Sequence, residues 1–132
     1  MIFSYSVTTP ALTLKTAPVI TRMKLTGGVI HKMDIAFPPG AQNLMHVTIH
    51  DAIHQVLPTN AEGDFASDNE VISFPVSFLL EDHPFEMQIF TWNDDDTYPH
   101  TCLVRLGILP KAVVSPWLLT WRERAAFTLG VR

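Results

Sequence analysis

The sequence predicts an all-β protein: an antiparallel β-sandwich or jelly roll of about eight strands, with a short C-terminal helix or arm. Three observations support this class. Ten prolines and six glycines interrupt the chain at short intervals. The segments between them are rich in Val, Ile, Thr and Phe, which favour strands bounded by turns. Several of these segments alternate apolar and polar residues, as strands of antiparallel sheets with one solvated face do.

The chain has 132 residues, the length of one ordinary domain. We assign residues 1–132 to a single sandwich domain. Its core spans about residues 19–110, and residues 1–17 form an N-terminal strand or arm. Residues 111–132 form a C-terminal arm.

The first predicted strands are FSYSVTT (3–9) and LTLK (12–15). VITRMKL (19–25) and VIHKMDIAF (29–37) follow, on either side of a Gly27-Gly28 pair. Glycine tolerates positive φ, so this pair predicts a hairpin between the two strands. The prolines of FPPGAQN then end the second strand, because proline has no N–H to donate to a ladder.

The segment LMHVTIH (44–50) alternates again: Met45, Val47 and Ile49 face one way and the polar side chains face the other. HQVLP (54–58) follows a tight turn and is its predicted hairpin partner.

Two further segments complete the predicted sandwich. Pro75 inside VISFPVSFLL (71–80) predicts an edge strand or a bulge. FEMQIFTW (85–92) and HTCLVRLGIL (100–109) are the last strands, joined by NDDDTYP, and Cys102 is a small core residue.

The segment from 115 to 132 has a different pattern. Ser115 suits a helix N-cap and Pro116 the first helical position. Trp117 and Trp121 lie four residues apart, which places them on one side of a helix. Exposed tryptophans are unfavourable, so we expect this side to close the sandwich or to contact a neighbouring subunit. The predicted interface residues are Trp117, Leu118, Trp121 and Phe127.

Composition restricts the class of protein. Charged residues make up 17% of the chain and apolar residues 47%, and so little charge predicts a surface partly covered by a partner. The net charge is −4 with no dense Lys/Arg stripe, which argues against nucleic-acid binding. No apolar run approaches the length of a membrane helix and no secretory signal begins the sequence. We therefore expect a soluble protein made in the cytoplasm, with no membrane partner.

No catalytic motif is recognisable in the sequence. It contains no G-x-G-x-x-G, P-loop, H-E-x-x-H, C-x-x-C or G-x-S-x-G pattern, and its single cysteine excludes an intrachain disulfide. We therefore predict a protein that is not an enzyme and needs no cofactor.

Three histidines, His46, His50 and His54, lie four residues apart. Along a strand, four residues span about 13 Å, too far for neighbouring histidines of one straight strand to share an ion. Only a fold-back of the chain would bring two of them together. We therefore interpret them as a polar face or an interface. Together with His31 they would also suit a pH-sensitive subunit contact.

The segment WNDDDTYPH (92–100) carries the densest charge. Asp94, Asp95 and Asp96 supply oxygen ligands of the kind calcium takes, but adjacent side chains point apart, so we predict no metal site. The preferred interpretation is a hairpin loop with Asx-type turns, and a calcium site at the three aspartates is the alternative. Trp92 and Tyr98 are candidates for stacking on a sugar ring, and Trp92 is the better exposed candidate by its place at a strand end. The other interpretation is that both rings fill the core or an interface.

The stretches LTGGVIHKMDIAFPPGAQNLMHVTIHD, HQVLPTNAEGDF and WNDDDTYPHTCLVRLGILP together resemble small single-domain β-sandwich proteins among the virion structural proteins of tailed bacteriophages. The resemblance covers residues 19–110 and is closest to capsid decoration or minor capsid proteins. It implies a symmetric homo-oligomer attached to a capsid or tail shell of a virion, with no catalytic residues. The arms at 1–17 and 110–132 would then contact other subunits or the shell.

The sequence thus predicts a structural assembly protein. The alternative is a carbohydrate-binding β-sandwich module, with calcium assisting at the three aspartates.

Overall fold

The computed structural model describes residues 1–110, which form eight strands and no helix. The strands are β1 (Ile2–Thr9), β2 (Val19–Lys24), β3 (Gly28–Phe37), β4 (Met45–Asp51), β5 (His54–Leu57), β6 (Glu70–Leu80), β7 (Glu86–Asn93) and β8 (His100–Leu109). The predicted all-β class is therefore confirmed. The predicted strand at 12–15 is not formed, and Thr13 makes only an isolated bridge to Asn93.

The strands form two four-stranded antiparallel sheets. The first sheet has the order β1-β8-β3-β6 and the second has the order β2-β7-β4-β5. This is the strand order of a jelly roll, in which the chain repeatedly crosses between two packed sheets.

The connections differ between the two ends of the sandwich. Loops 10–18, 38–44, 58–69 and 94–99 lie at one end, here called the loop end, and each crosses from one sheet to the other. The short connections 25–27, 52–53 and 81–85 lie at the opposite end. The longer segments, which tolerate polar and exposed side chains, are therefore gathered on one surface.

The core lies between the two sheets and follows the predicted alternation. In β4, Met45, Val47 and Ile49 are fully buried, as the sequence predicted. Ile35 and Val104 from the first sheet are also fully buried, and each such side chain contributes about 1.5–3 kcal/mol relative to an exposed one. Cys102 is a buried core residue, also as predicted.

The predicted hairpin between segments 19–25 and 29–37 is wrong. β2 pairs with β7, whereas β3 pairs with β6 and β8 in the other sheet. Gly28 has φ +146°, and a Cβ at this position would lie 2.6 Å from the carbonyl oxygen of Leu109. This glycine is required by the close approach of β8, and not by a tight turn.

Two other predictions about the strands are confirmed. β4 and β5 form the expected hairpin, with Asp51 opposite His54. β6 is an edge strand that carries Pro75, and β3 shifts register between Ile30 and Lys32 against both of its neighbours. Both the edge position and the local irregularity expected from Pro75 are therefore present.

Residues 111–132 fall outside the described part of the chain. The predicted C-terminal helix or arm and the interface residues Trp117, Leu118, Trp121 and Phe127 therefore stay predictions. Within residues 1–110, no helix has the length and hydropathy needed to cross a membrane.

Candidate functional site

The loop end carries most of the chemistry of the described residues. Its loops contain Lys15 as their basic residue, and their acidic residues are Glu62, Asp64, Asp68, Asp94, Asp95 and Asp96. An excess of carboxylates over cations makes this surface negative, so it favours neutral or cationic ligands over anions.

Asn93, the last residue of β7, anchors the loop that follows it. Its side chain is fully buried, and its Oδ1 accepts the backbone N–H of Asp95 at 3.0 Å. Its Nδ2 donates to the carbonyl of Tyr98 at 3.0 Å and to that of Thr9 at 3.3 Å. One amide therefore connects the beginning and the end of the 94–99 loop to β1.

Asp95 fixes the same loop from inside. Its Oδ1 accepts the backbone N–H of Thr97 at 2.9 Å and of Tyr98 at 3.2 Å. Its Oδ2 lies 2.8 Å from Nε2 of the buried His100. These hydrogen bonds, chiefly that from Thr97 and then that from His100, lower the pKa of Asp95 because they favour its ionised form, and they outweigh the opposing effect of burial.

The Asx-type turns predicted for this loop are present, but the predicted hairpin is wrong. β7 and β8 lie in different sheets, so residues 94–99 cross the sandwich instead of joining neighbouring strands. Sequence alone does not distinguish the two, because a crossing loop and a hairpin loop use the same turn residues.

The three aspartates considered as calcium ligands bind three different groups. Asp94 contacts His46, Asp95 contacts His100, and Asp96 accepts the hydroxyl of Thr97 at 2.8 Å. Among the described residues, no group of three or more His, Cys, Asp and Glu side chains is placed to hold one metal ion.

Tyr98 is the exposed aromatic ring of this end, with 65% of its surface accessible. It lines an open cleft of about 640 Å³ between loops 38–44 and 94–99. Pro39, Gln42, Leu44 and Asp96 also line this cleft. The ring is therefore accessible to solvent, and its role in stacking on a ligand stays a prediction.

Trp92 is not the exposed ring that its position suggested, since only 6% of its surface is accessible. The imidazole of His46 stacks on its indole, with centroids 5.3 Å apart and planes within 9°. The Lys15 ammonium lies 5.3 Å from the same ring centroid. These contacts come from β4 and from loop 10–18, so neighbouring positions in the sequence do not reveal them.

His46 bridges two loops. Its Nδ1 lies 2.8 Å from Oδ1 of Asp64, and its Nε2 lies 2.8 Å from Oδ2 of Asp94. Each ring nitrogen of His46 therefore lies within hydrogen-bonding distance of a different carboxylate. The bridge connects β4 to loops 58–69 and 94–99.

His50 and His54 have different surroundings. His50 stacks on Phe90 with centroids 3.8 Å apart, and its Nε2 lies 2.9 Å from the hydroxyl of Thr48. Burial lowers the pKa of His50, partly opposed by its hydrogen bond with the carbonyl of Ile53. His54 is exposed in the β4–β5 hairpin. The three histidines thus lie on strands, as the Val- and Thr-rich segment predicted, and each meets different partners.

The edge strand β1 is a second candidate surface, formed by main-chain groups. Ile108 N–H donates to the carbonyl of Met1 and Met1 N donates to that of Ile108, both at 2.8 Å. Because hydrogen-bonded and non-bonded pairs alternate along antiparallel strands, the N–H and C=O groups of every second residue face away from β8. These residues are Ile2, Ser4, Ser6 and Thr8.

Sequence reasoning missed the buried contact of His100 and the bridging contact of Asp64. It expected subunit contacts from residues 1–17 but did not identify the free β1 edge. His100 and Asp64 act through partners from other loops, and no local pattern indicates this. The β1 edge had a usable signal, since IFSYSVTT contains no charged residue and no proline.

Comparison of the chain with protein-family models, curated proteins and solved structures finds no match.

Proposed function

We propose that this is a non-enzymatic structural protein that assembles with further copies of itself, and that β1 is the strand through which the copies pair. The observation that carries the proposal is the contrast between β1 and the other three sheet edges. Exposed edges are templates for pairing, and soluble proteins usually block them with charge, proline, bulges or short length.

Three of the four edges carry such a block. β2 has Arg22 and Lys24, β5 has only four residues, and β6 contains Pro75 beside a register shift. β1 has eight residues with no charge, no proline and no register shift against β8. Each edge of the described sheets except β1 therefore carries a feature that disfavours pairing.

The side chains of β1 suit a close approach. Ser4, Ser6 and Thr8 are small and exposed, and the aliphatic Ile2 is 75% exposed. An antiparallel pair of β1 strands related by a two-fold axis would join the first sheets of two copies into one continuous sheet.

The strength of such a contact can be bounded. A full-length pair forms about eight backbone hydrogen bonds, each contributing about 0.5–1.5 kcal/mol net. Association itself costs about 4–15 kcal/mol. The edge alone therefore supports binding in the micromolar range or weaker, and tight assembly requires additional contacts between the copies.

The experiment measures native mass by analytical sedimentation from micromolar to millimolar protein concentration. We expect the wild-type protein to dimerise or form larger symmetric species. Ser6→Lys places a charge beside the free edge without removing a hydrogen bond to β8, and we expect it to shift the protein to monomer. The matched control is Ser77→Lys, an exposed serine on the blocked edge β6.

A wild-type protein that is monomeric throughout this range would overturn the proposal. Equal loss of assembly in both lysine variants would also overturn it, because the β1 edge would then have no special role. The resemblance to phage decoration and minor capsid proteins extends the proposal to a capsid or tail shell as partner. Co-sedimentation with assembled shells, and its loss in Ser6→Lys, tests that extension.

A further inference from the structure

We propose that the cleft between loops 38–44 and 94–99 binds a neutral saccharide, with a sugar ring stacked on Tyr98. This site is separate from the β1 edge and goes beyond the proposed assembly function. It identifies a ligand class for the loop end of the sandwich.

The first argument is that the Tyr98 ring is exposed while its backbone is fixed by hydrogen bonds. Its backbone N–H donates to Asp95 Oδ1 at 3.2 Å, and its carbonyl accepts from Asn93 Nδ2 at 3.0 Å. Pro99 restricts the chain immediately after it. A flexible exposed tyrosine would lose entropy on binding, whereas this ring is presented by a backbone that is already ordered.

The second argument is that the opposite wall of the cleft is also fixed. The backbone N–H groups of Gly40 and Gln42 donate to Oδ1 of Asp68 at 2.8 and 3.2 Å. This single carboxylate ties loop 38–44 to loop 58–69. Hydrogen bonds within the protein therefore hold the backbone of both walls without a ligand.

The third argument is the chemistry of the lining. Tyr98 and Pro39 supply apolar surface, while the exposed Gln42 amide and Asp96 carboxylate supply donors and acceptors. An apolar ring face beside a few polar groups complements a pyranose, which has C–H bonds on one face and hydroxyls around its rim. The cleft volume of about 640 Å³ lies in the range of small-molecule sites.

The charge of the loop end selects among saccharides. The carboxylates of Asp64, Asp94 and Asp96 repel sulfated, phosphorylated or sialylated glycans. Asp94 and Asp96 contact different partners, His46 and Thr97, and no three acidic, His or Cys side chains of the described residues converge on one ion. The inference therefore specifies an uncharged glycan and a site that works without metal.

The test is an array of neutral, sialylated and sulfated glycans, probed with the full chain with and without a chelator. The array carries both cell-wall-type and glycoprotein-type neutral glycans, so that its hits identify the source. We expect binding to neutral glycans that the chelator does not change. Isothermal titration with the best hit then compares the wild-type protein with its variants.

Tyr98→Ala should weaken binding by about tenfold or more, because it removes the stacking surface. Tyr98→Phe should retain it, and Val71→Ala, which alters an exposed side chain on β6, should bind like the wild type. Absence of any neutral hit, hits confined to acidic glycans, chelator-sensitive binding, or unchanged affinity in Tyr98→Ala would each overturn the inference. Ser6→Lys should leave glycan binding intact, which separates this site from assembly.

Discussion

A buried hydrogen bond between two threonines makes a quantitative prediction. The Thr9 hydroxyl donates to the Thr91 hydroxyl at 2.7 Å, and both residues are fully buried. Thr9 belongs to β1 and Thr91 to β7, so the bond crosses between the two sheets. It lies directly beneath the loop end.

Replacing either threonine with valine keeps the shape of the side chain but leaves the other hydroxyl without this partner. We expect Thr9→Val and Thr91→Val each to lower the free energy of unfolding by about 1–3 kcal/mol, the cost of a buried unsatisfied polar group. The double variant removes both hydroxyls. The decrease in its free energy of unfolding should be smaller than the sum of the two single decreases by at least about 1 kcal/mol.

The assay is chemical denaturation at one low protein concentration, followed by circular dichroism. Thr8 and Thr101 provide a matched control. They face each other one position along from Thr9, and their hydroxyls lie 2.9 Å apart on the exposed face of the sheet. Valine at either control position should change stability by less than about 0.5 kcal/mol. Buried and exposed variants of equal stability, or strictly additive losses in the double variant, would refute this reasoning.

Further predictions concern single side chains. Burial raises the pKa of Cys102 to about 12, so its thiol should react with a disulfide reagent at pH 8 only after unfolding, and rapid labelling of native protein would contradict this. His46→Phe keeps a ring but removes both carboxylate contacts. We expect it to lower the free energy of unfolding by about 1–2 kcal/mol and to speed hydrogen exchange in loops 58–69 and 94–99. Unchanged exchange would show that the bridge holds neither loop. The folded-state pKa of Asp95 is lowered, so its stabilisation is present above about pH 4 and is lost as the pH falls further. Asp95→Asn should flatten the acid limb of the stability curve, and an unchanged limb would argue against this linkage.

Local patterns determined how much of the fold was predictable. The alternation in β4 placed Met45, Val47 and Ile49 correctly in the core, because a straight strand repeats every two residues. In β3 the same method fails near His31, where the register shift leaves Val29 and Ile30 both fully buried. A pattern of period two does not show where an extra residue enters.

Long-range pairing was the part that the sequence did not determine. A glycine in the sequence is compatible both with a tight turn and with close packing of a neighbouring strand. For Gly28 the structure shows the second case, because Leu109 lies too close for a side chain. The candidate site shows the same limit. The Asx turns of residues 94–99 were predictable, whereas the cover on Trp92 comes from His46, a residue of another strand.

The pairing of β1 with β8 has a consequence for protein synthesis. Ile2 lies opposite Gly107, so the partner of β1 is translated about 5–20 s later, at about 5–20 residues per second. During that interval β8 has not yet been synthesised, so the edge of β1 that will pair with it is also open. On a polysome, where several growing chains lie side by side, β1 of one chain can meet β8 of another, and such an exchange would link two molecules before either had closed its own sandwich.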